Sequence, residues 1–271
     1  MKRAVWAAVF FLLAILGGTC VHTEARALTR VPVSTRTQYR ESYEVLKIIN
    51  RARKAGGLKP LTMDRRLLSN ALTRAQECSV YYAHTRANGK PWHTAITKKF
   101  VCAGENIGFG FSKAETVTEA WMDSPSHRRN IMNDRYTCIG IGCVVVDGVT
   151  YWAQEFTDGR AKKISCPSDR KKQVKIAVAD RFLPAARQQV RLSLGLGQSD
   201  TAVLSLDNAG YGGLAVQVAR TGLKYSSSDR SVVTVTARGE IKAVGTGTAS
   251  VKVKLIGNSR ICRIYRITVV G

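Results

Sequence analysis

The pattern of apolar residues changes once along this chain, near Gly159, and this change constrains the fold more than any other feature. Before it, apolar residues first recur at helical spacing. Two short apolar runs, typical of strands, follow at the end of this part of the chain. After Val174 short alternating runs are separated by Gly, Asn and Asp, as in strands. The 271 residues suffice for two domains. We therefore expect an α+β domain followed by an all-β sandwich of about a hundred residues.

The chain divides into four predicted segments, which are residues 1–27, 28–160, 161–173 and 174–271. The first is typical of a secretory signal peptide, because Lys2 and Arg3 precede an apolar run and Ala25-Arg26-Ala27 supplies a cleavage site. That run is too short for a membrane span, which needs about 20 residues. The basic segment 161–173 lacks an apolar pattern and is predicted to be a linker. We expect an exported protein, secreted or held at the cell surface, without a membrane span.

Helical spacing predicts a first helix over 38–55 and a second helix that Asp64 caps and that ends near His84. Residues 28–37 are predicted to be irregular, and 85–111 to be mostly loop.

Three further signals place the remaining elements of this segment. A capping box from Ser112 to Glu115 predicts the start of a third helix. Ser124 followed by Pro125 predicts a short fourth helix. Asp147-Gly148 between two apolar runs predicts a tight hairpin.

Histidine is rare in this sequence, and its distribution marks the candidate site. His22 lies in the leader, whereas His84, His93 and His127 all fall between residues 84 and 127. Glu105 lies between them in a Gly-Glu-Asn motif. Imidazoles and carboxylates bind divalent metals or transfer protons near neutral pH. His127 falls in the first turn of the predicted fourth helix, where the positive end of the helix favours the neutral, metal-binding form.

The cysteines of the chain predict disulfide bonds. Six cysteines remain without Cys20 of the leader, and an even number in an oxidising compartment predicts disulfides. Fifteen pairings are formally open, and we favour three: Cys78–Cys143, Cys102–Cys138 and Cys166–Cys262.

The net charge is +23, of which the leader contributes two units. For an exported protein this charge favours cell-wall or other anionic surface polymers over nucleic acid as partners. A basic solvated surface without a specific partner is the alternative.

Six stretches in the first segment resemble the CAP superfamily of cysteine-rich secretory, antigen 5 and pathogenesis-related proteins, in its bacterial form. In family order over residues 38 to 158, they are Leu46–Arg51, Leu67–His84, Ala103–Ile107, Ala120–Ile131, Ile139–Gly142 and Tyr151–Phe156. The resemblance implies an α-β-α sandwich with a cleft that carries two histidines and two acidic residues. His84, Glu105 and His127 match three of these. The fourth position is Ser124, and the nearby Glu119 is a possible substitute.

The last segment resembles the bacterial immunoglobulin-like group 2 domain of adhesins such as intimin and invasin. The resemblance rests on residues 223–235 and 239–249, and it covers about residues 174 to 271. Such domains act as spacers or attachment modules.

The histidine pattern and the resemblance together predict an exported binding protein whose cleft takes a divalent metal, lipid or peptide ligand. His84 and His127 are the predicted metal ligands, and a zinc-like ion is the predicted cofactor. The alternative is a secreted metal-assisted hydrolase of peptide or cell-wall polymer. Binding is favoured over catalysis, because the sequence has no HExxH motif and no evident nucleophile–base pair. A third hypothesis gives His127 and Glu105 only a structural role in holding loops together.

Overall fold

The structure is a computed structural model that describes residues 27–183, 187–208, 210 and 215–271. The predicted signal peptide, residues 1–27, therefore lies outside the described residues except for Ala27. Within the part of the chain that is described, no helix is long and apolar enough to cross a membrane.

The first half of the chain alternates strands and helices. Its elements are β1 (Leu28–Thr37), α1 (Tyr39–Ala55), β2 (Thr62–Met63), α2 (Arg65–Val80), β3 (Ala103–Phe109), α3 (Ala114–Asp123), α4 (Pro125–Ile131), β4 (Cys138–Val146), β5 (Val149–Thr157) and β6 (Lys171–Ala179). One sheet joins the strands in the order β3-β5-β4-β1-β6, and β2 pairs with β4 beside this path.

This sheet is the middle layer of three. Alternate residues of β4 and β5 point to opposite faces. On one face Ile141 and Trp152 pack into a core with α1 and α3. On the other face Gly140 and Gly142 lie against the backbone of α2. The first half of the chain thus has the predicted α-β-α arrangement.

Two sequence predictions about irregular segments are wrong. Residues 28–37 form β1, whose Val31 and Val33 are fully buried. Residues 85–111 contain β3 and a short 3-10 helix over Trp92–Ala95. Strand pairing with partners distant in sequence decides both elements, since β1 pairs with β6 and β3 pairs with β5.

Sequence signals for helix caps and turns predicted the structure correctly, with one exception. The Asp64 side chain caps α2 by accepting from the Arg66 and Leu67 amides. The Asp147-Gly148 turn has positive φ at both residues, as its hairpin requires. The Ser112 capping box does not form. Instead, the first amide of α3, at Ala114, donates to Glu41 of α1 at 2.8 Å.

The second half contains strands and single-turn helices. The strands are β7 (Arg187–Gly195), β8 (Ser199–Thr201), β9 (Ser205–Asp207), β10 (Ala215–Gln217), β11 (Leu223–Ser227), β12 (Val233–Val235), β13 (Glu240–Ala243), β14 (Gly247–Leu255) and β15 (Asn258–Val270). They form a sheet ordered β11-β14-β15-β7, a sheet ordered β12-β13-β8 and a β9–β10 hairpin. This region is all-β, as expected, and its immunoglobulin-like assignment stays a prediction.

The two halves are joined more closely than an exposed linker implies. Residues 171–173 of the predicted linker 161–173 are the start of β6, which pairs with β1 along nine positions. A single core cluster contains Cys78 of α2 together with Leu206 and Val216 of the second half. Asn208 is buried and binds the first half directly. Its amide donates to the Cys78 carbonyl at 2.9 Å, and its Oδ1 accepts from the Tyr82 amide at 2.7 Å.

All six cysteines of the described chain are free thiols, so none of the three predicted disulfides is formed. Cys78 and Cys143 lie in different core clusters, on opposite faces of the sheet. Cys138 and Cys102 also pack in separate clusters. Burial raises the pKa of the Cys78 thiol to about 12 and so favours its unreactive, protonated form.

Candidate functional site

The candidate site lies at the edge of the first sheet, where β3 is the outermost strand. α2 ends at Val80, and Tyr81 takes an extended backbone conformation that starts the segment leading to His84. The His84 Nδ1 lies 2.8 Å from Oε1 of Glu105 on β3. The Glu105 side chain is 1% exposed, whereas that of His84 is 55% exposed. An ionised carboxylate can only accept in this contact, so Nδ1 carries a proton, and in the neutral form of the ring the lone pair is on Nε2.

Glu105 is held by a buried arginine as well as by His84. The Arg74 Nε lies 2.7 Å from Oε2 of Glu105, and its Nη2 donates to Oε1 at 3.2 Å. Arg74 also bonds Glu77 at 2.8 Å and the Ala83 carbonyl at 2.7 Å. Glu77 in turn pairs with Arg86 at 2.6 Å. Both oxygens of Glu105 are thus engaged, and the carboxylate is fixed in orientation rather than open to a ligand.

Glu155 on β5 is a second buried acid beside this network. It pairs in register with Glu105, so the two carboxyl groups share the sheet face that packs on α2. Its side chain is fully buried, and neither carboxyl oxygen has a hydrogen-bond partner among the described residues. Burial raises the pKa of Glu155 well above its usual range, and the negative charge of Glu105 raises it further. Burial beside Glu105 therefore favours the protonated form of Glu155, although the positive charges of Arg74 and Arg86 oppose the shift.

This protonation has a measurable effect on stability. An acid with a raised pKa stabilises the fold at low pH, and this contribution is lost as pH rises above its unfolded pKa of about 4.3. We expect Glu155→Gln, which cannot ionise, to gain stability relative to the wild type as pH rises from 4 to 8. The gain is up to about 1.4 kcal/mol per pH unit. Urea unfolding of both proteins across this range measures the difference, and a difference that does not change with pH would contradict the assignment.

His127 approaches the same strand from α4. It is the third residue of that helix, which begins with Pro125 after the predicted cap residue Ser124. Burial lowers the pKa of the His127 imidazole, and the neighbouring His84 lowers it further. Both effects favour the neutral form of the His127 ring.

Two side-chain amides fasten α4 to β3. The Asn106 amide donates to the His127 carbonyl at 3.1 Å and to Gln154 Oε1 at 2.9 Å. The Asn130 amide donates to the Glu105 carbonyl at 3.1 Å and to Asn106 Oδ1 at 2.8 Å. Two of these bonds are accepted by the backbone carbonyls of His127 and Glu105. Helix α4 therefore cannot shift relative to Glu105 without breaking them.

The other candidates lie outside this contact network. Glu119 is exposed on α3, and the Ser124 hydroxyl lies 3.2 Å from that of Ser126. His93 is exposed in the short 3-10 helix. Within the described residues, no group of three or more His, Cys, Asp or Glu side chains is placed to hold a metal ion.

Sequence reasoning missed the buried charges around Glu105, although one signal was available. Arg74 lies on the apolar stripe of α2, seven residues after Leu67 and four before Cys78. A charge on a buried helix face requires an opposite partner. That partner is Glu105, which is 31 positions away in sequence, so helical periodicity alone could not identify it.

Comparison with known proteins identifies relatives of this region. Residues 46–156 match the model of the cysteine-rich secretory protein family, CAP. This region is similar to CAP domains. The Bacillus subtilis protein YkwD is 35% identical to the chain over 118 residues, which are 42% of this chain and 45% of YkwD. The chain matches less than half the length of such curated relatives.

Two solved structures are similar to part of this chain. An extracellular SCP-domain protein from Bacillus anthracis is 23% identical, with a TM-score of 0.40, and the match covers 44% of this chain and 40% of that one. An outer surface protein from Borrelia burgdorferi is 22% identical, with a TM-score of 0.42, and the match covers 49% of this chain and all of that one. The first of these neighbours is described as an extracellular protein and the second as an outer surface protein.

Proposed function

We propose that this chain is an exported bacterial CAP-domain protein that binds a ligand at His84 and His127, outside the cell or at its surface. The observation that carries the proposal is the bond from the His84 Nδ1 to the buried Glu105. Imidazoles that bind metals usually donate their second ring N–H to a carboxylate, which fixes the tautomer and the ring orientation. Glu105 provides this support, and the His84 Nε2 is left for the ligand.

A divalent metal of the zinc type is the ligand that best suits this pair. His84 and His127 would hold it, and Glu105 would orient His84 without binding the metal itself, since its oxygens are engaged by Arg74 and His84. Two imidazoles are fewer ligands than a structural zinc site needs. The remaining positions would therefore be completed by water or by a polar group of a small lipid or peptide ligand.

Zinc titration of the full chain tests this proposal. Every protein in the test carries Cys166→Ser, because that exposed thiol would bind zinc by itself. We expect His84→Ala and His127→Ala each to weaken binding at least about tenfold, as loss of a metal-orienting group already does. His93→Ala is the matched control, since it removes an exposed histidine outside the cleft, and it should leave the affinity unchanged.

The pH dependence gives a second readout. Metal binds the neutral imidazole, so affinity should fall as pH decreases through the imidazole pKa. The lowered pKa of His127 keeps this ring available at lower pH than a free histidine. Equal zinc affinity in the wild type and in a His84→Ala/His127→Ala double variant would refute the metal-binding proposal.

The alternative function is a secreted metal-assisted hydrolase of peptide or cell-wall polymer. The neutral imidazole of His127 favours it, because such a ring can accept a proton from water near pH 7. Metal-dependent release of peptide or wall fragments that is lost in His127→Ala would support hydrolysis over binding alone.

A further inference from the structure

The outer face of the four-stranded sheet β11-β14-β15-β7 is strongly basic. Its inner face packs in the core through residues such as Val251, Val253 and Ile267. Alternate residues point outward, and five of these outward residues are basic: Lys224, Lys252, Lys254, Arg191 and Arg266. Among the described strand positions that point outward, none is Asp or Glu.

Four of these five basic residues lie directly opposite another basic residue. Lys224 is paired in register with Lys254, and Arg266 with Arg191. Neighbouring strands are about 4.8 Å apart, and like charges in opposed positions destabilise a sheet. In the described part of the chain, none of the five outward basic residues takes part in an ion pair. The face therefore lacks a counter-charge of its own, and a bound anion would relieve the repulsion.

Hydroxyl groups surround the two arginines. A cleft of about 510 Å³ on this sheet is lined by Arg191 and Arg266 together with Ser228, Thr248, Ser250 and Thr268. Arginine binds phosphate through two parallel hydrogen bonds. Hydroxyl side chains can both donate to phosphate oxygens and exchange hydrogen bonds with the hydroxyls of a sugar or polyol.

We propose that this outer face binds an anionic polymer of polyol phosphate repeats. Successive outward residues of a strand are about 7 Å apart, so the charges form a grid that an extended polymer can follow across the sheet. The outward strand positions carry no aromatic side chain on which nucleic-acid bases could stack. A backbone rich in phosphate and hydroxyl groups, without bases, matches both properties. This face is separate from the His84 cleft, so the proposal does not depend on metal binding there.

Binding of full-length protein to fluorescently labelled poly(glycerol phosphate) tests the proposal. We expect Lys252→Gln/Lys254→Gln/Arg266→Gln to lower the affinity at least about tenfold near 50 mM salt. The slope of log affinity against log salt should decrease by about two, since each phosphate contact contributes about 0.7–0.9 to it. Without polymer, the triple variant should keep or raise its Tm, because repulsion is removed.

The matched control is a triple variant that loses the same three positive charges in the first half of the chain. Lys54, Lys99 and Lys113 are exposed residues of the first half, and replacing all three by Gln should change the affinity less than twofold. His127→Ala should leave polymer binding unchanged, which separates this proposal from that for the cleft. Equal losses in the triple variant and the charge-matched control would overturn the proposal. Tighter binding to a single-stranded oligodeoxynucleotide or to phosphatidylglycerol vesicles than to the polymer would also overturn it.

Discussion

Replacing Arg74 by Ala is expected to lower the free energy of unfolding by about 3–5 kcal/mol, the cost of removing one partner from a buried ion pair. The Arg74 side chain is fully buried, and it neutralises the nearly buried carboxylates of Glu77 and Glu105. Its loss leaves two carboxylates without their cation in a region where charge is poorly solvated. Urea unfolding at pH 7, followed by tryptophan fluorescence, measures the change.

Two further variants separate the effect of charge from the effect of packing. Arg66→Ala removes an exposed arginine from the same helix and should change stability by less than about 0.5 kcal/mol. Arg74→Met combined with Glu77→Gln and Glu105→Gln removes the charges together, and it should recover much of the loss. If Arg74→Ala is no more destabilising than Arg66→Ala, the ion network does not stabilise the site.

Gly140→Ala is expected to reduce stability by at least about 3 kcal/mol, at the upper end of the usual range for overpacked cores. A Cβ at Gly140 would lie 2.0 Å from the backbone carbonyl of Leu67 and 2.6 Å from the Leu68 nitrogen. These atoms belong to the backbone of α2, so no side-chain rotation can relieve the contact. The whole helix, which carries Arg74, would have to move away from the sheet.

Gly108→Ala is the matched control for this substitution. Gly108 is also a strand glycine with an ordinary φ, but a Cβ there would meet Trp121 and Val117 at 3.5 Å, a normal contact distance. We expect a change of less than about 0.5 kcal/mol. Thermal unfolding of both variants gives the comparison, and similar Tm values for the two would show that α2 does not pack as closely on β4 as described.

The sequence predicted elements whose signals are local. Asp64 caps α2, Pro125 begins α4 and Asp147-Gly148 forms the hairpin turn, because each depends on hydrogen bonds and torsions within a few residues. β1 was missed because its identity as a strand depends on β6, whose paired residues lie more than 130 positions later in the sequence.

The residues of the candidate site stay a prediction from the sequence, whereas the electrostatics around them could not be predicted from it. The motifs at His84, Glu105 and His127 identified the groups, whereas the states of these groups depend on contacts between distant segments. Arg74 determines that Glu105 is fully engaged, and the buried cross-strand position of Glu155 raises the pKa of a second acid. Such three-dimensional contacts leave no periodic trace in one sequence.

The bonds of Asn208 have a consequence for gene fusion and domain shuffling. The end of α2 and the segment toward His84 are anchored by a side chain that lies 126 positions further along the chain. A chimera that joined the first half of this chain to a foreign C-terminal module would lose that anchor and the shared core cluster beneath it. A replacement C-terminal domain would therefore need a side-chain amide in the position of Asn208. We expect the two halves of the chain to be inherited together.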